Sequence, residues 1–158
     1  MKTLVAYSTK HGASEKCAKL LAEKLEGEVE VKNLKGSSIN LSQYDKVVIG
    51  GSVYAGMIRK EVKEFIASNS EALKSKKFGL FVCGMSEGEQ IQKAIEMGYP
   101  QELRDKAAAV SSFGTQMLMK DLGFLEKFIV KKIAKTTTDV NKIDNAAIAG
   151  FAEKMNNA

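Results

Sequence analysis

Short apolar runs alternate with segments whose apolar residues recur at helical spacing, and this switching of period restricts the possible folds more than any other feature of the chain. The runs cover Lys2 to Tyr7, Glu28 to Leu34, Lys46 to Ile49, Phe78 to Cys83 and Ala107 to Phe113. The third and fourth are almost wholly apolar, as strands covered on both faces must be. Between the first two, Ala18, Leu21, Ala22 and Leu25 define a helical face that starts near Ser14, with Gly27 placed as its C-cap. A second helix carries Val62, Phe65 and Ile66, a third runs from Glu89 to Met97, a short turn covers Gln101 to Lys106, and the last helix spans Asp144 to Met155. Strand and helix in alternation predict an α/β fold on a five-stranded parallel sheet with helices on both faces.

Residues 114–141 exceed what that unit needs and read as an insertion between the last strand and the last helix. With one proline, no repeat and no low-complexity tract, all 158 residues read as a single domain. No stretch approaches the roughly 18 apolar residues of a membrane span, and the amino end enters a strand pattern with no export segment before it. A cytoplasmic protein is therefore expected. Cys17 and Cys83 stand far apart without metal-ligand or disulfide spacing, which suits a reducing compartment and predicts no metal site. The net charge is +5, but the lysines are dispersed and only Arg59 and Arg104 are arginines, so no basic and aromatic patch points to nucleic acid.

The first strand runs through Tyr7 and Ser8 into Thr9-Lys10-His11-Gly12-Ala13-Ser14, where a helix begins. Small hydroxyl residues and a glycine at a helix start present backbone N–H groups and the positive end of the helix dipole to an anion, and a phosphate suits that place. Gly12 permits close backbone approach, Lys10 adds charge at the rim, and Ser14 serves as N-cap or phosphate donor. An ordinary capped turn uses the same residues. The loop has neither the Gly-Lys-Ser/Thr ending of a nucleoside triphosphatase loop nor a Gly-rich dinucleotide fingerprint. His11, the lone histidine, reads as a solvated loop residue.

Two further loops follow central strands. The third strand leads into Gly50-Gly51-Ser52-Val53-Tyr54-Ala55-Gly56, small residues around one aromatic, at the strand end where open α/β sheets bind ligands. The fourth leads into Cys83-Gly84-Met85-Ser86-Glu87-Gly88, in which Cys83 reads as a small packing residue. A response regulator is excluded, since the first and third strands do not end in the acidic residues that metal-assisted phosphorylation requires.

The stretch from Tyr7 through Thr9, Gly12 and Ser14 to Ala18 and Leu21 resembles the phosphate-binding signature of the flavodoxins, with Ala6 smaller than usual and Ser14 in place of a threonine. The resemblance implies a doubly wound flavodoxin-like fold that binds FMN. It assigns the phosphate to Thr9, Lys10, His11, Gly12, Ala13 and Ser14. The isoalloxazine ring falls to Ser52, Val53, Tyr54, Ala55 and Gly56 on one side and Cys83, Gly84, Met85, Ser86 and Gly88 on the other. The later loop lacks the usual aromatic, which leaves one ring face open unless Tyr99 or the insertion covers it. The surplus of positive charge also implies a less negative reduction potential than an acidic flavodoxin has.

Within the insertion, residues 124–135 (FLEKFIVKKIAK) place apolar side chains on one helical face and lysines on the other. Such a helix packs on its own domain or lies on an anionic membrane surface. This segment resembles one in the flavodoxin-domain protoporphyrinogen oxidases, a resemblance that covers most of the chain from the Met1-Lys2-Thr3-Leu4 start to the final helix and implies electron transfer from a porphyrinogen or other reduced small molecule through FMN to a quinone-type acceptor. A flavodoxin-type carrier between redox proteins is the alternative, and an interaction module without flavin a third. No side chain stands out as a general acid or base.

Overall fold

The computed structural model describes residues 1–54, 57–84, 88–117 and 140–158, with the side chains of Tyr54, Met117 and Val140 outside that description. Five parallel strands form one sheet in the order β2-β1-β3-β5-β6: β1 (Lys2–Ser8), β2 (Glu28–Asn33), β3 (Lys46–Tyr54), β5 (Lys77–Cys83) and β6 (Ala109–Ser112). A two-residue strand β4 (Met57–Ile58) turns back antiparallel on the end of β3, pairing Val53 with Ile58. The five-stranded parallel sheet expected from the sequence is therefore present, with β6 shorter and β3 longer than the apolar runs suggested.

The strand order places a reversal between β1 and β3. The chain steps from β1 to β2 on one side and returns to β3 on the other, which opens a crevice at the carboxyl ends of those two strands. Alternation along β1 divides the core: Val5 and Tyr7 face α1 (Ala13–Ala22) and the last helix, α6 (Asn145–Asn156), while Leu4 and Ala6 face the other layer. That second layer holds α2 (Lys60–Ser68), α3 (Ser70–Lys74), α4 (Glu89–Gly98) and α5 (Gln101–Lys106), with Val62, Leu73, Ile95 and Tyr99 buried against the sheet. In the first layer Phe81 stacks on Phe113 at 4.7 Å between ring centres, and Phe151 meets Phe113 edge-on at 5.2 Å.

Three local readings change. Helix α1 stops at Ala22, because the bonds from Lys24 to Leu21 and from Leu25 to Ala22 tighten its end into a turn, so Gly27 lies beyond the helix and opens β2 instead of capping α1. The stretch Gly50 to Tyr54 is strand, not loop. A Cβ on Gly50 would lie on the Phe81 ring, and one on Gly51 would come within 2.6 Å of Val62 Cγ2, so these two glycines make room for neighbours. Tyr99 is fully buried and its hydroxyl donates to the Phe81 carbonyl at 2.6 Å, which removes it as a cover for a ring face. Tyr99→Phe leaves that carbonyl without this partner and should cost about 1–2 kcal/mol. A urea midpoint equal to that of the unmodified protein would refute this role.

The last helix is capped by Asp144, whose Oδ1 accepts from the Ala147 amide at 2.9 Å, in line with a start at that residue. The base of the insertion is an antiparallel ribbon of β7 (Gly114–Met117) and β8 (Val140–Ile143). The expected amphipathic helix at 124–135 lies outside the described residues.

At the opposite end of the sheet from the crevice, Glu30 accepts from Lys2 Nζ at 2.8 Å and from the Tyr44 hydroxyl at 2.6 Å, with Lys32 Nζ at 3.6 Å. The Lys2 and Tyr44 bonds, aided by the Lys2 and Lys32 charges, hold its carboxyl down to about 2. A folded-state value below the unfolded one means that this stability is full above about pH 4.5 and is lost as the pH falls towards 2. The midpoint difference between the unmodified chain and Glu30→Gln should thus vanish across that window. A difference that stays constant with pH contradicts the assignment.

Candidate functional site: a hydroxyl-lined crevice at the strand switch point

Thr9 leaves β1 and its Oγ1 accepts from the Gly12 amide at 2.8 Å, which folds the loop into a compact turn before α1. Gly12, not Ser14, is the residue that caps α1: it takes φ 94°, a left-handed conformation open to glycine, and contributes no side-chain bond. A Cβ there would meet nothing within 4 Å, so the space over the helix start is open. The Ala13 and Ser14 amides, at the first two helical positions, have no side-chain cap.

Ser14 is buried and its hydroxyl lies 2.8 Å from that of Ser52, which in turn lies 3.5 Å from Thr9 Oγ1. Ser52 belongs to β3, whose Gly51 stands beside Ser8 of β1. Three hydroxyls from two chain segments, remote in sequence, thus converge over the crevice between β1 and β3. This is a neutral, donor-rich cradle at a positive helix end, suited to a phosphate group.

The other sequence-derived residues fall around this cradle as follows. Lys10 is exposed, whereas His11 is half-buried with its Nε2 shielded, so it is not the solvated residue expected. Val53 is half-buried in the β3–β4 pairing, and Tyr54 pairs with Met57. Cys83 sits opposite Ser52 in the sheet and is buried, as expected of a packing residue. Burial, and contact with the Cys17 thiol, push the Cys83 thiol well above its ordinary value, which makes it a poor nucleophile. Gly84 donates its amide to the Gly114 carbonyl at 3.0 Å, which ties the start of the third loop to the ribbon. Gly88 is exposed and precedes α4 with φ 59°. Ala55, Gly56, Met85 and Ser86 lie outside the described residues.

Sequence reading did not single out a second polar group at this crevice. Ser8 Oγ donates to Glu61 Oε2 at 3.3 Å, Glu61 Oε1 accepts from Arg59 Nη2 at 3.3 Å, and the Arg59 amide donates to the Ser52 carbonyl at 3.2 Å. Burial pushes the Glu61 carboxyl up, but a bond from its own backbone amide, the Arg59 charge and the Ser8 hydroxyl outweigh it and leave the value lowered. No periodicity marks these residues, since Ser8 and Glu61 meet only where the first turn of α2 packs beside the end of β1. Among the described residues there is no metal-binding cluster of His, Cys, Asp or Glu, and no helix long and apolar enough to cross a membrane.

The chain's sequence matches the family described as "Flavodoxin domain" over residues 4–144. No curated protein sequence is matched. Among solved structures, flavodoxin 1 of Bacillus cereus superposes with a TM-score of 0.65 at 17% identity, over 98% of this chain and 97% of that one. A flavoprotein of Lactobacillus acidophilus, solved in complex with FMN, gives 0.54 at 15% identity over 70% of this chain and 92% of that one. The rubredoxin:oxygen oxidoreductase of Desulfovibrio gigas gives 0.60 at 14% identity over 99% of this chain but 35% of that protein, so this chain spans about a third of its length. At such identities the superpositions show the fold. The sequence match over residues 4–144, together with strands in the order β2-β1-β3-β5-β6, shows that the chain belongs to the flavodoxin domain family.

Proposed function

We propose that this chain binds FMN in the β1/β3 crevice and acts as an oxidoreductase that moves electrons from a reduced small molecule, such as a porphyrinogen, to a quinone-type acceptor. The observation that carries flavin binding is the uncapped start of α1, with open space over Gly12 and the hydroxyls of Thr9, Ser14 and Ser52 beside it. The Ala13 and Ser14 amides and these hydroxyls hold the phosphate. Residues 52–56 flank the ring on one side and residues 83–86 and 88 on the other, a reading supported by the pairing of β3 with β5 that sets Ser52 opposite Cys83. FMN, when bound, supplies the redox chemistry.

Support for a quinone-type acceptor near a membrane comes from the basic, amphipathic sequence of residues 124–135. Its base, the β7–β8 ribbon, is bonded to Gly84 and so arises at the edge of the sheet that carries the flavin loops. The net charge of +5 favours the anionic reduced flavin and hence a less negative potential than that of acidic flavodoxins. A carrier between redox proteins is the second reading, favoured by end-to-end superposition on the Bacillus cereus flavodoxin, with 97% of that chain covered.

Titration of the apoprotein with FMN tests the first step, and absence of binding refutes the whole proposal. Flavin-loaded protein is then assayed with a porphyrinogen and a menaquinone analogue, with and without anionic vesicles. Turnover supports the enzyme. Binding of FMN without turnover, combined with rapid electron exchange with a ferredoxin or flavodoxin reductase, supports the carrier.

A further inference from the structure

The two cysteines, remote in sequence, meet beneath the hydroxyl cradle. Strand register sets Cys83 of β5 beside Ser52 of β3, whose hydroxyl lies 2.8 Å from that of Ser14. Cys17 follows Ser14 by about one turn of α1 and belongs to the same core cluster as Cys83. The Cys83 thiol is in hydrogen-bond contact with both the Cys17 thiol and the Ser14 hydroxyl. A continuous chain of polar side chains therefore runs from Ser52 through Ser14 and Cys83 to Cys17. Both thiols are free in this structure.

Two thiols in contact offer what other small core side chains do not: together they can give up two electrons and close a covalent bond. They differ in reactivity. The hydrogen bond from Cys83 outweighs burial and, with the Lys16 charge, holds the Cys17 thiol below its ordinary value, so Cys17 is the better nucleophile of the pair. Neither side chain reaches the surface, which keeps out bulky thiol reagents. Hydrogen peroxide is little larger than water, and its way in is the first turn of α1. That turn has no side-chain cap, and such a helix end opens locally at a cost far below that of global unfolding.

We propose that Cys17 and Cys83 are an oxidisable pair that peroxide converts to a disulfide, and that this bond loosens the hold of the crevice on FMN. The second half rests on the flavin-binding reading, and the first half does not. Cys17 Sγ, as the thiolate, attacks one peroxide oxygen; the O–O bond breaks, leaving a sulfenic acid on Cys17 and hydroxide, which takes up the Cys17 proton as water. Cys83 Sγ then attacks the Cys17 sulfur, the S–O bond breaks, and the departing hydroxide leaves with the Cys83 proton as a second water. The thiols lose two electrons and two protons, and peroxide is reduced to water. An S–S bond is shorter than any thiol hydrogen bond, so closing it draws the Cys17 turn of α1 toward β5. The Ala13 and Ser14 amides ride on the same helix and are carried away from the place where a phosphate meets them.

The full chain, stripped of flavin, is treated with hydrogen peroxide, desalted, and read by intact mass, by thiol titration in denaturant and by circular dichroism for folding. A folded product should appear that has lost two hydrogens and both thiols, with the peptides of Cys17 and Cys83 joined. Saturating FMN should slow its formation several-fold, since binding and bond closure oppose each other. The product should bind FMN roughly tenfold or more weaker than the untreated chain, and dithiothreitol should restore the affinity. Cys17→Ala should form no such bond and show one FMN affinity before and after peroxide, which removes oxidation of the exposed Met57 and Met97 as the cause. Sulfinic acid without a bond, a bond that forms only in unfolded chain, or a folded disulfide form that binds FMN as before each overturns the proposal. If the untreated chain binds no FMN, the flavin reading fails by itself, while the mass and thiol measurements still decide the pair.

Discussion

Gly12→Asp should abolish useful FMN binding while leaving a folded protein. The left-handed φ of 94° disfavours any side chain, but Asp and Asn tolerate it best, and a Cβ meets nothing within 4 Å. The fold should thus lose only about 1 kcal/mol. The new carboxylate stands where the phosphate must approach the Ala13 and Ser14 amides, and like charges at such range cost several kcal/mol. A loss of about 3 kcal/mol corresponds to roughly a hundredfold weaker FMN. Gly12→Asn, of the same shape and no charge, separates the two effects: it should keep most of the affinity and share the small loss of stability. Isothermal titration with FMN and riboflavin measures both, and equal FMN affinity in the Asp and Asn variants would show that the phosphate binds elsewhere.

Gly50→Val should have the largest effect on stability. The added Cβ falls on the Phe81 ring, which cannot retreat because Phe113 stacks on it at 4.7 Å and Phe151 presses edge-on from 6.4 Å. Overpacking of a tight core costs about 1–3 kcal/mol, and a ring locked between two others places this site at or above the upper end. The thermal midpoint should fall by roughly 10 °C or more, given a few degrees per kcal/mol for a chain of this size. Phe81→Leu in the Gly50→Val background, which frees space, should recover part of the loss. If Gly50→Val melts with the unmodified protein, the sheet accommodates β3 differently from the arrangement described.

Much of the architecture was legible because it rests on local periodicity. The run from Lys2 to Tyr7, the Asp144 cap and the apolar third and fourth strands each declare their element within a few residues, and the loop before α1 is a contiguous stretch from Thr9 to Gly12. The readings that failed depended on partners remote in sequence. Gly50 and Gly51 look like loop glycines until Phe81 and Val62 are seen to occupy their side-chain space. Tyr99 looks available to a ligand until the sheet carbonyls take its hydroxyl. Ser14 looks like an N-cap until Ser52, 38 positions later, is found beside it.

The sequence by itself determined which segments become strands and helices, their alternation, and hence the parallel sheet and the start of α1 after Gly12, since these follow from side-chain period and backbone chemistry over a turn or two. Only the tertiary structure decided which hydroxyls meet at the crevice and that Ser8, Glu61 and Arg59 meet on the other face of the sheet. Those contacts depend on strand order and register: Ser52 faces α1, where it meets Ser14, and a slip of β3 by one residue would turn it to the other face of the sheet.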